Sequence, residues 1–150
     1  MKTFLILLGA LSLLACEIDV SSKSSNVEWL KAPGTEESDP PYSTAVRVGN
    51  LLYLSGKLGI IPGTRKLAEG GIQGETRQTL ENISATLEDF GSSMDKVVKC
   101  TVFLADIGEW AAMNEVYTTF FPNKPARSAV GIGGLGLGAR VEIECMAVID

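Results

Sequence analysis

The chain has 150 residues, 45% of them hydrophobic and 21% charged, enough for one domain with its own core and too apolar for a disordered segment. It carries 13 Lys and Arg against 18 Asp and Glu, a net charge of −5, which argues against a general grip on a phosphate backbone. There is no histidine. That excludes Ser-His-Asp and Cys-His triads and most zinc sites, and leaves acid–base chemistry near neutral pH to carboxylates, Tyr, Lys, Cys or bound water.

Met1–Ala15 has Lys2 followed by an apolar run from Phe4 to Leu14. The run is shorter than the roughly 20 apolar residues that span a bilayer, and it fits a secretory leader. Leu13-Leu14-Ala15-Cys16 resembles a bacterial lipobox, in which Cys16 is lipidated and the leader is removed before it. The expectation is therefore a cell-envelope lipoprotein, with Glu17 rather than Asp after the cysteine pointing to the outer membrane. Residues 16–26 are Ser-rich and polar and read as a flexible tether. Residues 27–150 are the domain.

Val27–Leu30 reads as a short edge strand. Ser43–Leu58 reads as a hairpin, because two β-rich runs flank Gly49-Asn50, a dipeptide that can supply the positive φ angles of a tight turn. Ile60–Gly71, with Pro62-Gly63 and Gly70-Gly71, reads as a loop. Gln73–Phe90 is helical: Leu80, Ile83, Leu87 and Phe90 form one apolar stripe, and Gly91 stops it. Asn82-Ile83-Ser84 matches a glycosylation sequon, but mid-helix it reads as chance. Lys96–Leu104 is β-branched and aromatic, a buried strand. A second helix is expected over Ile107–Phe121, with Asp106 as N-cap, Glu109 completing a capping box, and Trp110, Met113, Tyr117 and Phe120 on its core face. Pro122 ends it.

Gly131–Gly136 matches G-x-G-x-x-G, but a dinucleotide loop must open a helix, and this run leads into a strand. In that strand Val141, Ile143, Cys145, Ala147 and Ile149 face one way and Glu142, Glu144, Met146 and Val148 the other. Cys100 and Cys145 both fall in strands; a bridge is open to them if they are adjacent, and two separate buried thiols is the simpler expectation. The order of elements gives an α+β fold, one mixed sheet with both helices on one face.

Pro41-Tyr42-Ser43, Gly49–Gly56, Thr79–Ile83, Met113–Tyr117, Phe120-Phe121-Pro122, Pro125–Ser128 and Val141–Glu144, in unbroken order, resemble the RidA/YjgF family of imine deaminases. The resemblance implies a chorismate-mutase-like fold and a homotrimer with ligand clefts between subunits. It also implies hydrolysis of 2-imino and 2-enamino acids to 2-keto acids and ammonia without metal or organic cofactor. By the same resemblance Arg127 binds the substrate carboxylate and Glu142 holds the attacking water. Tyr42 lines the cleft from an adjoining chain, Ser55 and Gly56 lie beside the ligand, and Asn114 is a polar helix residue near it. Ala129 offers a backbone N–H where other members carry cysteine. The implied partners are a small 2-imino or 2-keto carboxylate, two further copies of the chain and, through the lipid alone, a membrane; nucleic acid is not among them. The alternatives are a trimer that binds small carboxylates without turnover and, disfavoured by the acidic charge, RNA cleavage.

Overall fold

A computed structural model describes residues 26–34 and 40–149. The leader, Cys16 and the tether up to residue 25 lie outside the described residues. The strands are β1 (Val27–Leu30), β2 (Ala45–Val48), β3 (Leu51–Leu54), β4 (Lys57–Leu58), β5 (Val97–Leu104), β6 (Ala126–Gly131) and β7 (Val141–Val148). The helices are α1 (Gly71–Asp89) and α2 (Trp110–Phe120). One mixed sheet runs β1-β2-β3-β7-β5-β6, with β4 also paired to β7. The β2–β3 hairpin turns at Gly49-Asn50, where Gly49 has φ 61°, a left-handed conformation that costs glycine little. β5 and β6 are parallel, with α2 as their crossover; the other pairs are antiparallel.

Both helices pack on one face, as the element order implies. Leu80, Ile83 and Leu87 of α1 are fully buried against the β7 row Val141, Ile143, Cys145 and Ala147 and against Cys100, Val102 and Leu104 of β5. Each such side chain contributes about 1.5–3 kcal/mol by leaving water. Buried Thr76, Thr79 and Thr86 donate their hydroxyls to carbonyls one turn back, so no hydroxyl is stranded in the apolar layer.

The opposite face of the sheet carries no helix. Across it Trp29, Val46, Tyr53 and Met146 stand in register on four successive strands, and Trp29 is 72% exposed.

Four expectations change. α1 starts two residues early, on Gly70 at φ 99°. The hairpin divides at Ser55-Gly56, and its end becomes β4. The capping box does not form: Asp106 accepts from the Gly108 N–H at 2.8 Å, but Glu109 turns to Arg140 Nη1 at 2.5 Å, and a 3-10 turn precedes α2. On α2, Met113, Val116, Tyr117 and the following Phe121 are buried, while Trp110 is 45% exposed and Phe120 half-buried, because α2 faces both the core and the β6 edge.

Cys100 and Cys145 are not separate thiols. They stand directly opposite on β5 and β7, both on the helix face, with Cα atoms 4.2 Å apart, and are joined as a disulfide. Their sequence separation of 45 hides a register that only strand pairing sets.

Candidate active site

Arg127 lies on β6 opposite Cys100, so it points to the helix face. Its Nη1 donates to Asn114 Oδ1 on α2 at 2.6 Å. Its guanidinium carbon stands 4.5 Å from the Tyr117 ring centroid and 5.8 Å from that of Trp110. A flat cation held against two aromatic faces and one amide is fixed in direction before any ligand arrives. Burial pushes the Tyr117 phenol up, and the Arg127 charge opposes that shift. The Tyr117 hydroxyl is buried without a protein partner. Arg127, Asn114 and Tyr117 line a cavity of about 410 Å³ that Phe121, Lys124 and Pro125 complete. Ala129 follows two residues on, half-buried on the same side of β6.

Glu142 lies on β7 opposite Phe103 and Leu58, on the open face. It lines a second cavity, of about 330 Å³, with Tyr42, Ser55, Gly56, Leu58 and Gly136. Gly56 is the residue that gives Glu142 its room: a Cβ there would overlap the Glu142 carboxyl group. Ser55 anchors the approach of Tyr42, since its hydroxyl donates to the Ser43 carbonyl at 2.7 Å and its N–H to Thr44 O at 3.1 Å. Burial, and then the like charge of Glu144, raise the Glu142 pKa above its ordinary value of 4.5.

The expected site residues thus fall into two groups, not one. Tyr42, Ser55, Gly56 and Glu142 form one; Asn114, Arg127 and Ala129 form the other. Within one chain Arg127 and Glu142 lie on opposite faces of the sheet, and Tyr42 stands with Glu142. Strand alternation alone places Glu142; it cannot place Arg127 relative to it, because parallel pairing with β5 decides the face of β6.

Two residues that sequence reasoning passed over support the Glu142 group. Asn82 Nδ2 donates to Leu58 O at 3.0 Å and Ile60 O at 2.8 Å, tying the end of β4 to α1. Glu75, 6% exposed, accepts from the Arg140 N–H at 2.8 Å and fixes the entry to β7. The signal for Glu75 was a carboxylate on the apolar side of a helical stripe, and for Asn82 its place in the Thr79–Ile83 segment. The glycine run behaves as expected: among the described residues it opens no α-helix, only a 3-10 turn at Gly136–Gly138 before β7. No group of three or more potential metal-ligating side chains occurs among the described residues, and no helix among them is long and apolar enough to cross a membrane.

Residues 33–149 match the Ribonuc_L-PSP family model, described as endoribonuclease L-PSP. The chain belongs to this family, which includes the RidA/YjgF deaminases. It is 41% identical over 123 residues to the human 2-iminobutanoate/2-iminopropanoate deaminase, covering 81% of this chain and 88% of that one. Among solved structures it resembles the yeast protein YEO7, with TM-score 0.76 and 38% identity over 83% of this chain and all of that one. It also resembles TdcF of E. coli, solved with bound serine, with TM-score 0.70 and 33% identity over 83% of this chain and 98% of that one. These relatives share its mixed sheet with two helices, the YjgF-type α+β fold.

Proposed function

We propose that the protein is a 2-iminoacid deaminase that acts as a homotrimer, its active sites lying between subunits. The observation that carries this reading is the division of the site. Arg127 and Glu142 face opposite sides of one sheet, each in its own cavity, so a single ligand meets both only where two chains adjoin. The helix-free face with Trp29, Val46, Tyr53 and Met146 supports such an assembly, because an apolar sheet face of that extent is normally covered.

The chemistry follows from the two side chains. The Arg127 fork takes the substrate carboxylate through paired charge-assisted bonds. Glu142 holds a water over the C=N carbon and accepts its proton as the C–O bond forms. That proton passes to nitrogen and a carbinolamine results; the hydroxyl proton then moves to the amine nitrogen by way of Glu142, the C–N bond breaks, ammonia leaves, and the carbonyl of a 2-keto acid remains. The raised Glu142 pKa brings the group toward the range in which it can both accept and return a proton. The human relative's name as a deaminase supports this substrate class. Serine bound in TdcF is a small α-carboxylate of similar shape. The family description as endoribonuclease is opposed here by a net charge of −5 and by the absence of histidine.

The apolar leader and the lipobox-like Leu13-Leu14-Ala15-Cys16 run support a reading in which this activity works in the cell envelope, on a lipid-anchored chain. A source of imines outside the cytosol, such as amino-acid oxidation there, would supply the substrate.

The test generates an imino acid in situ with an amino-acid oxidase and follows keto-acid release, with Arg127→Ala alongside. Acceleration by wild type and not by the variant supports the reading. No acceleration by either retires it, and retained ligand binding would then favour a non-catalytic binding module. Light scattering after size exclusion tests the trimer. Labelling with radioactive fatty acid, against Cys16→Ser, tests the anchor.

A further inference from the structure

Lys57 is unused by this chemistry. It follows Gly56 on β4, pairs with Ile143 and therefore projects to the helix side, away from Glu142. There it lines a third cavity, of about 590 Å³, whose wall includes Tyr42, Pro62, Asn82 and Thr86. Apart from the Tyr42 hydroxyl, the neutral polar side chains of the cavity are already engaged. Thr44 Oγ1 accepts from the Ala32 N–H at 3.0 Å, Ser55 donates to Ser43, Asn82 donates to Leu58 and Ile60, and Thr86 donates to Asn82 O at 2.9 Å. The Lys57 amine is left over as well: it has no hydrogen bond or ion pair to any described residue.

We propose that this cavity is a second small-molecule site, in which Lys57 forms a reversible Schiff base with a small 2-keto acid. The site rests on the geometry of β4 and α1. The choice of a 2-keto acid rests on the deaminase reading, since that reaction releases one at the adjoining cavity, which shares Tyr42, Ser55, Gly56 and Leu58. A carbonyl suits the amine better than a plain anion does. Burial lowers the Lys57 pKa, with the nearby Asp89 charge opposing, so at a given pH a larger share of this amine is free than of an exposed lysine. A partly desolvated free amine is a nucleophile. Nζ attacks the carbonyl carbon and a C–N bond forms. The two amine protons leave with the carbonyl oxygen as water, and C=N remains; hydrolysis by one water restores lysine and keto acid. Nothing is oxidised or reduced.

The experiment incubates the full chain with pyruvate and sodium cyanoborohydride at neutral pH, then maps the reduced adduct by peptide mass spectrometry. The exposed Lys66 serves as an internal control within the same molecule, and urea-unfolded protein as a second control. Preferential labelling of Lys57, lost on unfolding and absent from Lys57→Gln, supports the proposal. Labelling absent, or equal at Lys57 and Lys66, overturns it. The imine-turnover assay run in parallel keeps the two readings apart, because trapping requires no turnover.

Discussion

Arg127 is held by Asn114 through a 2.6 Å hydrogen bond from Nη1, with the Tyr117 ring at 4.5 Å beneath its guanidinium. The bond engages one nitrogen and leaves the rest of the fork for a carboxylate. Arg127→Lys keeps the charge but loses the planar fork. A charged hydrogen bond is worth about 1.5–3 kcal/mol, so kcat/KM for imine hydrolysis is expected to fall by about 10- to 150-fold. Asn114→Ala frees the guanidinium to swing and should act mainly on KM. Steady-state kinetics on both variants checks this; unchanged KM in each would remove Arg127 from the binding step.

Gly56→Ala probes the room Glu142 needs. The added Cβ meets the far end of a flexible side chain, so the sheet should stay intact while the carboxylate is displaced. A displacement near 1 Å can cost about 100-fold in rate. Circular dichroism should match wild type while kcat drops; full activity would show that Glu142 does not work from this position.

Glu142→Gln separates function from stability. With its folded-state pKa raised, the protonated form is favoured in the fold, and its stabilising contribution is complete below the unfolded value of about 4.5. That contribution is lost as pH rises through the higher folded pKa. Removal of the charge should therefore raise thermal stability at pH 7, and the gap should close as pH falls below the ordinary glutamate range. The same change should lower kcat by about 10²- to 10⁴-fold, the usual worth of a general base. Melting curves at several pH values, paired with kinetics, test both halves.

Reduction of the Cys100–Cys145 bridge is expected to cost about 2–4 kcal/mol of unfolding free energy, since it closes a loop spanning most of the second half of the domain. Urea titrations with and without reductant measure this. Both cysteines are buried, so reduction in the folded state should be slow.

Much of the fold could be read from local pattern. The β2–β3 turn at Gly49-Asn50, the Leu80-Ile83-Leu87 stripe and the alternation of β7 each encode their own structure, because period and turn chemistry act over a few residues. Features set by distant pairing could not be read in that way. The Cys100–Cys145 contact depends on the β5–β7 register, the facing of Arg127 on parallel β6, and the exposure of Trp110 on the edge Arg127 occupies. Arg127 and Glu142, the two proposed working residues, were visible only as members of a motif set. Their separation across the sheet, and the supporting roles of Asn82 and Glu75, required coordinates.

The placement of Arg127 and Glu142 on opposite faces has a genetic consequence. If each site draws one residue from each of two chains, Arg127→Ala and Glu142→Gln are defects in different halves of a shared site. Two dead proteins, denatured, mixed and refolded together, should yield an enzyme with partial activity, because some interfaces will unite an intact arginine with an intact glutamate. Two alleles, each null alone, would complement within one cell, and a chain too dilute to assemble would be as silent as either mutant.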